Sequence, residues 1–368
     1  MSTKPHIAII GRCNIGKSTF MNALAGEALS IVSPSAGTTT DPVRRAVELK
    51  GVGAVVLVDT AGIDDSTPLG CKRRRATLSA MEQCDMGLLV TGAEGIGAPE
   101  RELMEQARRV ELPIVTVVNA RDGHPSVAAG FAFDPLHDPI DRLCDHIAVH
   151  LGKAAPLSLF GDLISEGDRV VLVCPIDSQA PAGRLILPQV QALRELLDKR
   201  AIALVVQPSQ LEQVVGPDVR MVVTDSQAIA EVGRVVPEGV ELTTFSILLA
   251  GAKGDMSLYE RGLEALDHLC EGDRVLVMES CLHHAGCDDI GRVKIPRMLE
   301  RHSGVSLRFD FIGGTQPLPD TLSDYVLALQ CGGCMVNARA VKARLRHLER
   351  EHVPVTNYGM AIRKMSGR

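Results

Sequence analysis

The run His6-Ile-Ala-Ile-Ile10 passes without a break into Gly11-Arg-Cys-Asn-Ile-Gly-Lys-Ser18, and this junction constrains the fold more than any other stretch of the chain. Five apolar-to-neutral residues read as a buried strand, and Gly-x-x-x-x-Gly-Lys-Ser at its end is a complete phosphate loop. Chance matches rarely meet both the spacing and the strand-to-helix context. The glycines leave backbone N–H groups open to a β-phosphate, Lys17 neutralises β and γ oxygens, and the Ser18 hydroxyl reaches Mg²⁺. Gly11, Asn14, Gly16, Lys17, Ser18 and Thr19 are therefore the expected nucleotide cradle. A parallel α/β sheet is the architecture that presents such a loop.

Three further stretches narrow the nucleotide. Gly37-Thr-Thr-Thr-Asp41 is a polar loop of the kind that orders around a γ-phosphate, and Val55-Val-Leu-Val-Asp-Thr-Ala-Gly62 is a strand ending in a metal-associated carboxylate. They predict a switch with Thr39 on Mg²⁺, Asp59 behind the metal's direct ligands, and Gly62 donating its N–H to the γ-phosphate. Asn119-Ala-Arg-Asp122 follows the apolar run Ile114–Val118. A carboxylate at Asp122 accepts two hydrogen bonds from a guanine edge, which adenine cannot supply, so GTP is expected.

The spacing of these motifs resembles the translation-factor-like GTPases of the Era and TrmE type. Asn14 matches the phosphate-loop Asn that in that group accompanies potassium-assisted hydrolysis, so the resemblance implies K⁺ beside Mg²⁺. The chain departs twice: Ala120 stands where the guanine motif usually has Lys, and Ile63 follows Gly62, leaving no Gln to orient water. Slow intrinsic turnover is expected, as suits a switch.

Composition bounds the rest. The 368 residues carry a net charge of −6 and 3% aromatics, which speaks against a dedicated nucleic-acid surface. Lys72-Arg-Arg-Arg75 reads as a solvated helix face, and no apolar run reaches membrane-spanning length. Ten cysteines behind a short first apolar run point to a reducing cytoplasm and to thiols. Cys13, Cys71, Cys84, Cys144, Cys174 and Cys270 read as inert buried residues.

The other three cysteines with a pattern lie at two strand ends. Arg274–Met278 leads to Glu279-Ser-Cys-Leu-His-His284, and Tyr325–Leu329 leads to Gln330-Cys-Gly-Gly-Cys334. Cys281, Cys331 and Cys334 would thus gather at the carboxyl ends of two parallel strands, holding an iron–sulfur cluster or a zinc ion. Three sulfurs leave a fourth position exchangeable, with His283 either a ligand or a neighbour of one.

Between the two motif regions, Asp138–Leu151 reads as a helix and residues 152–156 as a linker. A second α/β unit follows, with strands at Val170–Cys174, Ile202–Val206, Arg220–Val223 and Leu242–Leu249. Gln189–Arg200 is the expected amphipathic helix, burying Val190, Leu193, Leu196 and Leu197. No site chemistry marks this unit, so it reads as an assembly domain whose apolar edge strand pairs with a second copy.

A set of motifs runs through the whole chain beyond the phosphate loop: Pro175–Gln189, Thr224-Asp-Ser-Gln227, Thr244–Leu248, Lys253-Gly-Asp255, Cys281-Leu-His-His284, Asp289–Pro296, Cys331-Gly-Gly-Cys-Met335 and Thr356-Asn-Tyr-Gly359. With it the chain closely resembles the HydF family, the GTPase maturases of iron–iron hydrogenases. The resemblance implies a homodimer of three-domain chains: a P-loop GTPase domain (1–155), an α/β dimerisation domain (160–250) and an α/β cluster domain (251–368). It implies a 4Fe-4S centre on Cys281, Cys331 and Cys334. It also implies a scaffold and carrier role for a transient di-iron subcluster, received with two radical-SAM maturases and handed to apo FeFe-hydrogenase. Gln330 replaces the usual family His, and an amide is a poor iron ligand. An Era-like GTPase of ribosome assembly or tRNA modification, and a zinc-stabilised regulatory GTPase, are the competing readings.

Overall fold

A computed structural model describes residues 4–26, 43–62, 68–120, 130–151, 157–176, 185–280, 289–314 and 316–367, with backbone alone at 68–72. The chain forms two compact units, residues 2–156 and 157–368.

The first unit is built on a six-stranded sheet. Its elements are β1 (His6–Ile10), α1 (Lys17–Gly26), β2 (Val43–Leu49), β3 (Gly53–Asp59), α2 (Pro68–Gln83), β4 (Met86–Thr91), α3 (Ala98–Arg109), β5 (Ile114–Asn119), β6 (Phe131–Phe133) and α4 (Ile140–Leu151). The order is β2-β3-β1-β4-β5-β6, all parallel except β2 against β3. Alternation in β1 explains why its whole run is apolar: Ile7 and Ile9 pack with Phe20, Leu24, Leu143 and Ile147 of α1 and α4 on one face. Ala8 and Ile10 pack with Met81, Leu103 and Ala107 of α2 and α3 on the other. Arg73 and Arg74 lie half-buried on α2, Arg75 exposed, and Arg74 pairs with Glu102.

The second unit holds two four-stranded parallel sheets. The first uses β7 (Arg169–Val173), α5 (Leu187–Asp198), β8 (Ile202–Val206), β9 (Val219–Thr224), α6 (Ile229–Val232) and β10 (Glu241–Thr244), followed by α7 (Phe245–Lys253) and α8 (Met256–Gly262). The second uses β11 (Arg274–Met278), α9 (Ile295–Ser303), β12 (Arg308–Ile312), β13 (Leu327–Gln330), α10 (Ala338–Arg350), β14 (Val355–Asn357) and α11 (Tyr358–Met365). Their orders, β10-β9-β7-β8 and β12-β11-β13-β14, are the same arrangement read from opposite edges. Gly-Asp-Arg-Val opens both, at 167–170 and 272–275, with Gly167 and Gly272 at φ of +87° and +82°. Thr224 pairs with Val173 and Thr244 as Gln330 pairs with Met278 and Asn357. Thr244 and Asn357 each cap the following helix, accepting from the N–H of Ile247 (3.2 Å) and Gly359 (2.8 Å).

Two sequence expectations need correction here. The apolar run Leu242–Leu249 is strand only to Thr244; the Thr244 hydroxyl caps a helix that takes Phe245 onward, and a short apolar run does not distinguish strand from buried helix by periodicity. On α5 the buried residues are Pro188, Gln189, Ala192 and Leu196, whereas Val190 is 43% and Leu197 61% exposed. Gln189 buries because its side chain is used, Nε2 donating to Asp225 (3.2 Å) and Oε1 accepting from the Ile186 N–H (3.1 Å). Residues 152–156, read as a linker, lie outside the described residues.

Candidate nucleotide and metal sites

At the carboxyl end of β1 the chain makes the turn that the phosphate loop requires. Gly11 and Gly16 have φ of +153° and +100°, and Asn14 adopts the left-handed φ of 58°. A Cβ on Gly11 would lie 2.5 Å from the Val90 carbonyl, and one on Gly16 2.7 Å from Asn119 Nδ2. Asn119 Nδ2 donates to the Ile15 carbonyl (3.0 Å), tying the end of β5 to the loop. Lys17 spans the loop, its ammonium donating to the carbonyls of Arg12 (2.6 Å) and Gly11 (3.3 Å).

Ser18 Oγ donates to Asp59 Oδ2 at 2.8 Å, so α1 and β3 bring together the hydroxyl and the carboxylate expected at a divalent ion. Asp59 Oδ1 is buried and has no hydrogen-bond partner among the described residues. A buried carboxylate oxygen left this way is what a cation or its bound water satisfies, so the donor set fits Mg²⁺. Gly62 lies against Cys13, where a Cβ would approach the Cys13 nitrogen to 2.4 Å. Thr39 and Asp122 lie outside the described residues; Ala120 is half-buried at the end of β5.

An ion-pair network that the sequence did not announce surrounds the loop. Arg12 contacts Glu94 and, through Nε, the fully buried Glu100 of α3 at 2.6 Å. Glu100 Oε2 also accepts from the Gly97 N–H (2.9 Å), so one carboxylate ties the start of α3 to the phosphate loop.

The second site lies where β11 and β13 end side by side. In sheets of this order that junction is the switch point, with successive connections leaving to opposite sides. Ser280 Oγ is 2.8 Å from Cys331 Sγ, which places the residue preceding Cys281 against the cysteine following β13. Cys331 and Cys334 are half-buried; Cys281 and His283 lie outside the described residues. Among the described residues no group of three His, Cys, Asp or Glu is close enough to hold a metal.

The turn 331–334 rests on the start of α7, and Gln330 before it is held by the cap of α11. A Cβ on Gly332 would meet Ser246, in the first turn of α7, at 3.2 Å, and one on Gly359, in that of α11, would meet Thr244 at 2.7 Å. Asn357 joins them, accepting from Ser246 Oγ (3.1 Å) and donating Nδ2–H to the Gln330 carbonyl (3.1 Å). Helix N-termini carry partial positive charge and favour thiolate, which fits anionic sulfur ligands here. Gln330 is fully buried; its Nε2 donates to the Cys331 carbonyl (3.2 Å) and lies 3.8 Å from Cys331 Sγ. Gly333, at φ of +72°, turns its carbonyl to the buried Lys253. Burial pulls the Lys253 ammonium down to about 8, against the opposing pull of Cys334 and Cys331. The Cys334 thiol is pushed up by burial and by Cys331, and drawn down by Lys253.

Among the remaining cysteines, Cys84, Cys144 and Cys174 are buried as expected, and burial with Asp225 pushes the Cys174 thiol up to about 12. Cys13 and Cys270 are exposed, contrary to the inert-core reading, because both stand in loops, one inside the phosphate loop. The Cys71 side chain lies outside the described residues.

Comparison with known proteins gives the chain its lineage. Residues 6–120 match the family model described as 50S ribosome-binding GTPase. Residues 159–254 match Hydrogen maturase F dimerization domain, and residues 257–368 match Hydrogen maturase F tetramerization domain. The chain belongs to the hydrogen maturase F family. The GTPase match lies ahead of both maturase matches in the chain. That domain is 38% identical over 163 residues to the tRNA modification GTPase MnmE of Chromobacterium violaceum, covering 42% of the chain and 35% of that protein. It is 38% identical over 122 residues to GTPase Der of Clostridium kluyveri, covering 32% and 28% respectively. The chain thus spans about a third of the length of these curated relatives. Among solved structures, an Era variant of Aquifex aeolicus bound to GDP.AlF4- is 20% identical with a TM-score of 0.34, over 64% of the chain and 98% of that one. No helix of the described residues is long and apolar enough to cross a membrane.

Proposed function

We propose that this hydrogen maturase F chain binds and hydrolyses GTP in its first unit and holds a 4Fe-4S cluster on Cys281, Cys331 and Cys334 in its second. On this reading it is the scaffold and carrier that assembles the di-iron subcluster precursor and delivers it to apo FeFe-hydrogenase. Two radical-SAM maturases are its other partners, and it works as a homodimer in the cytoplasm. The observation that carries the reading is the 2.8 Å approach of Ser280 to Cys331 at the switch point, beside the start of α7. It supports the gathering of Cys281 with the pair 331 and 334. Readings confined to ribosome or tRNA work rest on the GTPase domain alone and leave residues 159–368 unused.

In the first unit, Lys17 and the loop N–H groups bind the phosphates, and Asp122 selects guanine. Ser18 and Thr39 would hold Mg²⁺ with Asp59 behind them, and Asn14 would hold K⁺; both ions, when bound, neutralise phosphate charge. Gly62 donates its N–H to the γ-phosphate, and Ile63 offers no group to orient water, so turnover is slow. In the second unit Cys281, Cys331 and Cys334 would hold the cluster, which when bound would offer the di-iron cargo an exchangeable position. Gln330, buried beside Cys331, leaves that position to His283 or to an outside ligand.

The test is anaerobic purification and reconstitution, followed by incubation of the loaded protein with apo-hydrogenase. A brown protein that confers hydrogenase activity is expected; a colourless, zinc-binding protein would overturn the proposal.

A further inference from the structure

Lys253 ends α7 on the side of the second sheet, and it is the one buried Lys in residues 157–368 among those described, at 1% exposure. Its ammonium donates to the carbonyl of Gly333 at 2.6 Å and to that of Val336 at 2.8 Å. These carbonyls flank Cys334 on either side along the chain. The Lys253 stem lies along Gly333, whose Cβ, if present, would come within 3.7 Å of Lys253 Cδ. A buried cation is retained only where it is well satisfied, since an uncompensated one costs several kcal/mol, roughly, on desolvation. Two carbonyl acceptors do not neutralise a full charge. A thiolate at Cys334, which lies between the two acceptors in the chain, would supply the missing negative charge.

We propose that Lys253 is a positioning residue of the metal site: it pins the turn 331–334 by both carbonyls and sets the charge beside Cys334, raising the reduction potential of the bound cluster. This rests on the assignment of the cluster to Cys281, Cys331 and Cys334. A fixed positive charge stabilises the reduced, more negative cluster over the oxidised one, so its removal lowers the potential. Among the described residues the ammonium's hydrogen-bond acceptors are these two carbonyls, and Cys334 is the ionisable residue between them in the chain.

The experiment is optical potentiometry of the reconstituted full chain, with iron counted in each sample. Lys253→Met keeps the length of the side chain and drops the charge. Its cluster is expected to be at least tenfold harder to reduce at a given potential, about 59 mV lower for one electron. Lys253→Arg keeps the charge and is expected to return most of that shift. Should Lys253→Met not fold, Lys253→Gln, which keeps N–H donors without charge, carries the same comparison. A neutral variant with the parent's potential overturns the role of Lys253 while the cluster assignment stands. A parent chain that binds no cluster overturns both.

Discussion

Lys17 is held by the carbonyls of its own loop, so its position depends on seven consecutive residues and little else. Lys17→Ala is expected to cut GTP hydrolysis by at least about a hundredfold, the usual cost of removing one charge-stabilising group from such a site; a turnover assay at saturating GTP checks it. The resemblance of Asn14 to the Asn of potassium-assisted GTPases leads to a second outcome: hydrolysis faster in K⁺ than in Na⁺ at equal ionic strength, and indifferent to the salt in Asn14→Ala. Glu100 and Lys253 carried no such signal. Each is a charged residue at a helix end in the sequence, and only packing across many residues gives it a partner in a cysteine or phosphate loop. Cys13 and Cys270 were misjudged for the same reason, since burial is a property of the fold.

At the scale of elements, the strands at His6–Ile10, Val55–Val58 and Ile114–Val118 and the helix ending at Leu151 follow from apolar runs and periodicity, whereas faces and switches of type do not. Leu242–Leu249 reads as one strand because every residue from 245 to 250 is apolar or small, and the capping hydroxyl of Thr244 decides otherwise. The α5 face was misread because buried Gln189 replaces the apolar residue that periodicity seeks. Strand β8 is the edge of its sheet and leaves Ile202 and Val205 exposed, with the exposed Leu197 preceding it on α5. An unguarded apolar edge pairs with another. Ile202→Lys with Val205→Lys is expected to weaken self-association at least tenfold without unfolding the chain, read by light scattering over a dilution series. An unchanged mass would move the interface off this edge.

For the whole molecule, the GTPase domain is legible because its motifs are short and specific. The repeated strand order of the two later sheets was hidden, since the copies share little beyond Gly-Asp-Arg-Val and their alternation. Removing sulfur ligands tests the cluster: Cys281→Ser, Cys331→Ser and Cys334→Ser are each expected to lose most reconstituted iron, because two remaining thiolates hold a cube poorly. Full iron in all three would end the assignment. Helix α7 bears on how such variants and truncations behave. Phe245, Leu248 and Leu249 belong to the core of the first sheet, Ala250 to that of the second, and Lys253 reaches the turn at Gly333. A cut at residue 254, where one family match ends, therefore leaves the second sheet without a wall of its own core. The two sheets are expected to unfold together, so a calorimetric scan of the chain should show a single endotherm for residues 157–368, which a destabilising Leu248→Ala lowers as a whole without splitting it.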